Sequence, residues 1–230
     1  SCCKAGSYPL QISISLGVST KKYSWQNTLD IIKEAEDRMY RNKLLEHKSN
    51  RSVFITSLEK TLWMKSHETR EHTSRLRRMV VQLGQALALP ENEMDNLTLL
   101  ASLHDIGKIA IPGSILDKPT RLTPEEWEII KKHPEIGYRI ALSSPDLSPI
   151  AESILMHHER WDGSGYPLEV KGTDIPLNAR ILAIADAYDV MVHGRPYQKS
   201  MSHNEALEEI MRYAGSQFDP NLTKIFITCR

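Results

Sequence analysis

His104 and Asp105 stand side by side, and the chain later carries His157, His158 and Glu159, then Gly165-Tyr166-Pro167. An adjacent His and Asp offer one imidazole nitrogen and one carboxylate able to bridge two metal ions. That mixture suits borderline-hard divalent ions such as iron or manganese. A His-Asp dipeptide alone is weak evidence, because most such pairs lie on surfaces or in helix caps. Here it belongs to a set of candidate ligands at wide, helix-sized intervals: Glu68, His72, His104, Asp105, His133, His157, His158 and Asp186.

Their settings strengthen the reading. Glu68 and His72 are four residues apart, so on a helix they share one face and could hold a metal together. His104 and Asp105 follow the apolar run Leu97 to Leu103, which predicts a buried helix. Polar groups at the end of such a run are costly unless metal or partners compensate them. Asp186 interrupts another apolar run, begun by Ile181 to Ala185, and a lone Asp in a core-facing helix usually needs a cation. Any one of these histidines, taken singly, reads as an ordinary core or surface residue. Five of the nine histidines nonetheless fall in a set with three acids, which chance handles poorly. His47, His67, His193 and His203 stay outside it.

These residues carry a resemblance. The sequence resembles the HD-GYP phosphodiesterases, a branch of the HD superfamily of metal-dependent phosphohydrolases, from about residue 67 to 230. The matching blocks include Glu68 to His72, His104-Asp-Ile-Gly-Lys108, Ile115-Leu-Asp-Lys-Pro119 and Lys132-His-Pro-Glu-Ile-Gly137. They continue through His157 to Pro167, Asp186-Ala-Tyr-Asp189, Arg195-Pro-Tyr197 and Phe218-Asp-Pro220. The resemblance implies two or three divalent ions, iron or manganese, in an all-helical bundle. Asp105 is the expected bridge, with His72, His104, His133, His157, His158 and Asp186 completing a two-metal core. Glu68 is the position that lets some members hold a third ion.

Such ions can lower the pKa of a bound water and polarise a phosphodiester. Lys108, three residues after Asp105, is expected to contact the scissile phosphate and help protonate the leaving oxygen, so Asp105 and Lys108 are the catalytic candidates. Arg195 is expected to clamp a second phosphate with its planar fork. The family often has a basic residue directly after the following tyrosine, where this chain has Gln198 and then Lys199. Tyr166 is carried as a substrate contact in a loop that the resemblance assigns to substrate access.

Composition excludes several classes. Lys plus Arg and Asp plus Glu both number 29, so there is no basic footprint for broad nucleic-acid binding. No apolar run approaches a membrane span, and no signal peptide is expected from these residues. Cys2, Cys3 and Cys229 make no metal-spacing pattern and point to a reducing compartment, the cytoplasm.

From about residue 47 the chain reads helical. Thr123-Pro-Glu-Glu126 predicts a helix start with a capping box. Ser148-Pro149 and Ser202 to Glu205 open two more, the last followed by an apolar stripe at Leu207, Ile210 and Met211. The first 46 residues differ. Ile12 to Leu16 alternates at period two and predicts a strand ending at Gly17, followed by an amphipathic helix from Thr28 to about Leu45. This pair resembles the last strand and helix of a GGDEF diguanylate cyclase domain, through Ile14-Ser-Leu-Gly-Val18 and Ala35 to Lys43. The GGDEF motif itself is absent, so cyclase activity cannot reside here. The expected organisation is a GGDEF-like piece over 1–46, a connecting helix over 47–66 and a catalytic domain over 67–230, within a longer protein with GGDEF sequence upstream. The connector offers an apolar stripe of Val53, Phe54, Leu58, Leu62 and Trp63, expected to pack on its own core. A strand without a sheet is a liability, so residues 10–18 are expected to pair with a second copy, as a homodimer, or to be covered by the catalytic domain.

The leading functional reading is a phosphodiesterase that linearises cyclic di-GMP, with either the linear dinucleotide or GMP as the end product. Hydrolysis of another cyclic dinucleotide, such as mixed cyclic GMP–AMP, is the nearest alternative. A non-catalytic cyclic di-GMP receptor is the alternative from another class, and the intact ligand set argues against it.

Overall fold

The computed structural model describes residues 14–66, 69–194 and 200–230, without the side chains of 44–51. Helices account for nearly all of its regular structure, and among the described residues there is no strand, only an isolated bridge between Ala214 and Phe218. The chain divides into two units, one ending at Thr56 and one running from Ser57 to Arg230.

In the first unit, residues 14–18 form no strand or helix, which corrects the expected strand in the part described. Alternation makes a strand only when another strand takes up its backbone groups. Here helix side chains take some of them: Asn42 donates to the Leu16 carbonyl at 2.9 Å and Arg38 to the Val18 carbonyl at 2.8 Å. Gly17 permits this approach, since a Cβ there would meet the Ala35 carbonyl oxygen at 1.9 Å. Helix α1 covers Thr28–Lys65 without a break at the expected boundary near residue 46.

In the second unit, the last turns of α1 bury Leu62 and Glu59, and Glu59 pairs with Arg77. The predicted stripe therefore packs at Leu62, whereas Val53 and Phe54, in the first unit, are exposed. Helices α2 (Arg70–Ala86), α3 (Glu91–Leu103) and α8 (Leu177–His193) pack together around Leu76, Val80, Leu97, Leu100, Leu103, Ile181 and Ile184. Short helices α4 (Gly113–Leu116), α5 (Pro124–Ile130), α6 (His133–Leu142) and α7 (Ala151–Leu155) follow the His-Asp pair, with 3-10 turns over Ile106–Ala110 and Ser148–Ile150.

The expected capping box of Thr123 with Glu126 opens α5, and the expected helix start at Ser202 is a second such box, with Glu205, opening α9 (His203–Arg212). In α9, Ile210 is buried but Met211 is exposed, because the buried face passes through Ala206 and Ile210 instead. Helix α10 (Pro220–Thr228) starts at Asp219, whose carboxylate caps Asn221 and Leu222 and pairs with Arg180 at 2.7 Å. No helix among the described residues is long and apolar enough to cross a membrane.

Candidate metal centre

The apolar stretch of α3 drives Leu97, Leu100 and Leu103 into the core, and the chain leaves that helix at His104 and Asp105. Both polar side chains are therefore delivered to the interior, 4% and 3% exposed. The 3-10 turn that follows lies against the start of α6. Gly107 makes this contact feasible, because a Cβ there would meet the His133 carbonyl oxygen at 1.9 Å and the Gly137 nitrogen at 2.7 Å. His133, first residue of α6, is thereby set against Asp105, its Nε2 3.0 Å from Asp105 Oδ1. His157 and His158 follow the end of α7.

Two groups of donors result. Asp105, His133, His157 and His158 offer ligand atoms within 4.8 Å of one another, and so do His72, His104 and Asp186. The groups share a wall: His104 Nε2 lies 3.3 Å from Asp105 Oδ2.

Hydrogen bonds settle which ring nitrogens face inward. His133 Nδ1 donates to the Ile130 carbonyl at 2.7 Å and His157 Nδ1 to the Ile154 carbonyl at 2.6 Å. In the neutral rings each Nε2 is then a bare lone pair. These lone pairs stand 3.3 Å apart, both turned toward Asp105 Oδ1. Facing lone pairs repel unless a cation lies among them. Burial pulls the His157 pKa down to about 4, aided by its histidine neighbours and opposed by Asp105, and it holds His158 well below its ordinary value. Burial would push Asp105 up, but the charges of Lys108 and His104 overturn this and keep it ionised well below the usual carboxylate range. A neutral His157 and His158 beside an ionised Asp105 are the protonation states metal binding requires of these three residues. Among the described residues, no hydrogen-bond donor meets Asp105 Oδ1 or Asp186 Oδ1, although both atoms are buried. The donor set fits divalent metal.

The second group is built differently. Thr69 caps α2 by accepting from the His72 backbone nitrogen at 3.1 Å, which fixes His72 in the first turn. Its Nδ1 donates to Asp189 Oδ2 at 2.7 Å, leaving Nε2 3.4 Å from Asp186 Oδ1. Arg75 grips Asp189 with two bonds, 2.7 and 2.8 Å. Burial would raise the Asp189 pKa, but Arg75 and His72 bring it down to about 2. Asp189 and Arg75 were not among the expected site residues. A signal was available: each stands three residues after a candidate ligand, one helical turn along the same face.

Lys108 places its Nζ 2.6 Å from Asp105 Oδ2. Tyr166 stacks on the His158 ring at 4.9 Å, and Trp127 meets Tyr166 edge-on at 6.5 Å. The Tyr166 loop is pinned from both sides. Glu159, buried behind it, accepts from the Leu168 and Glu169 nitrogens at 2.6 and 3.2 Å. Trp161 and Asp162 donate from their backbones to the Gln217 and Ser216 carbonyls at 3.1 and 2.9 Å. The Arg180 guanidinium lies over Trp161. Of the other expected residues, Glu68, Arg195, Gln198 and Lys199 lie outside the described residues. His193 touches Asp189 and His203 touches the Tyr188 hydroxyl; neither joins a donor group.

Comparison with known proteins places this geometry in context. The family model for the HD domain matches residues 56–222. A cyclic di-GMP phosphodiesterase of Thermotoga maritima is 43% identical over 162 residues, covering 70% of this chain and 44% of the relative. The 3'3'-cGAMP-specific phosphodiesterase 2 of Vibrio cholerae is 36% identical over 188 residues, covering 81% and 36%. The chain thus spans less than half the length of either relative. Among solved structures, a cyclic GMP-AMP specific phosphodiesterase of V. cholerae superposes with a TM-score of 0.58 at 24% identity, covering 76% of this chain and 47% of that one. The HD domain of an L. monocytogenes phosphodiesterase in complex with cyclic-di-AMP gives 0.56 at 18% identity, covering 75% and 92%. At such identities the likeness speaks for the helical fold alone.

Proposed function

The chain belongs to the HD domain family, and from that premise we propose that it is a metal-dependent phosphodiesterase of the HD-GYP type, hydrolysing cyclic di-GMP to the linear dinucleotide and onward to GMP. The observation that carries this reading is the pair of donor groups sharing the His104–Asp105 wall. Two divalent ions, iron or manganese, would be held by Asp105, His133, His157 and His158 on one side and His72, His104 and Asp186 on the other, with Asp105 between them. Glu68 is assigned to a third. Bound ions would supply Lewis-acid polarisation of the phosphodiester and a water of lowered pKa.

The protein's own residues do the rest. Lys108, held against Asp105, brings a positive charge to the scissile phosphate and can hand a proton to the departing oxygen. The carbonyl and carboxylate partners of His133, His157 and His72 hold each ring so that only one nitrogen faces inward. Tyr166 covers the His158 side and limits access of bulk water. Arg195 and Lys199 are assigned to the remaining phosphate oxygens, and the cytoplasm is the proposed location. Residues 1–46 are read as the end of a GGDEF-like domain and 47–66 as a connector to the catalytic part over 67–230. A homodimer remains part of the proposed organisation.

The test is anaerobic incubation of iron- or manganese-loaded protein with cyclic di-GMP, products separated by chromatography, with Asp105→Ala alongside. Linear product from the wild type alone is expected. Because a relative is named for 3'3'-cGAMP, that dinucleotide is run in parallel, and exclusive turnover of it would move the substrate assignment. Binding of cyclic di-GMP without product from either substrate would favour the receptor reading.

A further inference from the structure

Helix α5 buries none of its residues, yet it carries a tryptophan. Trp127 is 46% exposed. Large aromatics left open to water on an ordered element invite a reason. The helix is fixed by the Thr123–Glu126 capping box, and Lys118 grips the same Glu126 carboxylate at 2.6 and 2.8 Å. Its last residue, Ile130, supplies the carbonyl that orients His133. Trp127 is therefore carried on a frame continuous with the candidate metal centre. A second tie runs through rings: Trp127 meets Tyr166 edge to face, 6.5 Å and 74°, and Tyr166 stacks on His158, 4.9 Å and 27°.

An edge-to-face contact leaves aromatic surface unused, and here that surface borders a site suited to phosphate chemistry. In any nucleotide a flat base lies one sugar away from the phosphate. We propose that Trp127, with Tyr166 beside it, is a stacking shelf for a purine base of the nucleotide whose phosphate sits at the His158 side of the centre. This rests on the phosphodiesterase reading and adds to it a subsite for the base. Stacking tolerates any purine, so the shelf contributes affinity while discrimination between guanine and adenine falls to other groups.

The experiment compares GMP with ribose 5-phosphate, which has the same phosphate and sugar but no base. Binding of each to manganese-loaded protein is followed by calorimetry, with metal content measured in every variant. Wild type is expected to bind GMP more tightly than ribose 5-phosphate. Trp127→Ala should weaken GMP about 5- to 100-fold while ribose 5-phosphate affinity and metal content stay the same, and Trp127→Phe should recover most of the loss. Equal weakening of both probes, lost metal in the Ala variant, unchanged GMP affinity, or a wild type blind to the base would each overturn the shelf. Failure to hydrolyse cyclic di-GMP would sink the substrate assignment without touching this result, so the two ideas fail separately.

Discussion

The two donor groups differ in what holds their imidazoles. His133 and His157 are oriented by main-chain carbonyls, Ile130 and Ile154, each three residues back along the chain. His72 is oriented by a side chain, Asp189, which is itself clamped by Arg75 from the helix that carries His72. The first arrangement follows from local backbone geometry and survives any side-chain replacement that spares the fold. The second depends on two ionised side chains and can be tuned one residue at a time. A carboxylate behind an imidazole also raises its basicity as a ligand, which a neutral carbonyl does less. One half of the centre is thus built into the backbone, and the other is adjustable.

Breaking the shared wall should have the largest effect. Asp105→Ala removes the carboxylate that faces both groups and the ion pair it makes with Lys108. Activity should fall at least about a thousandfold, the scale of losing a principal electrostatic stabiliser, and metal analysis should show both groups depleted. Gly107→Ala attacks the backbone-held half alone. Its Cβ would collide with the His133 carbonyl, so α6 must shift, at a cost of about 1–3 kcal/mol. A lowered melting temperature with metal lost first from the Asp105 group would support the comparison; loss from the His72 group first would contradict it.

Asp189→Asn probes the adjustable half. Metal affinity there should drop about 10- to 100-fold while the other group keeps its ion, read by titration of metal-free protein. Loss of both ions together would erase the distinction. The mildest test is pH. His157 is held neutral at a pKa of about 4 against an ordinary 6.5, so the unfolded chain takes up a proton that the folded state refuses. Stability of the metal-free protein is then fully present above pH 6.5 and declines as pH falls toward 4, by about 3 kcal/mol from this group. Denaturant midpoints that stay flat between pH 7 and 4.5 would contradict that assignment.

Much of this was readable in the residues. Thr123 with Glu126, and Ser202 with Glu205, announce their helices because capping is decided within four residues. Seven of the eight expected ligands fall within the described residues, and they form the two groups. Their types and apolar surroundings could be read because burial of a charge is visible as an interruption in a hydrophobic run. The Arg75–Asp189 clamp was not legible, since it joins residues 114 apart and no periodicity encodes such a pairing. The alternation of Ile12 to Leu16 misled, in its described part from Ile14, for the converse reason. Alternation records which side chains share a face, but pairing depends on a neighbouring strand, and side chains of α1 meet that backbone instead. Met211 fits the helical period of α9 yet faces solvent, because period specifies a stripe and the packing partner decides which edge of it is covered.

The anchoring of the Tyr166 loop has a consequence for how the protein is made. Trp161 and Asp162 find their backbone acceptors at Gln217 and Ser216, and Asp219 reaches Arg180 from the same late segment. During synthesis the ribosome therefore presents every described ligand of the centre, from His72 to Asp186, before the segment that ties the loop down has emerged. The donor set is thus complete in the growing chain before the residues that anchor the Tyr166 loop exist outside the ribosome.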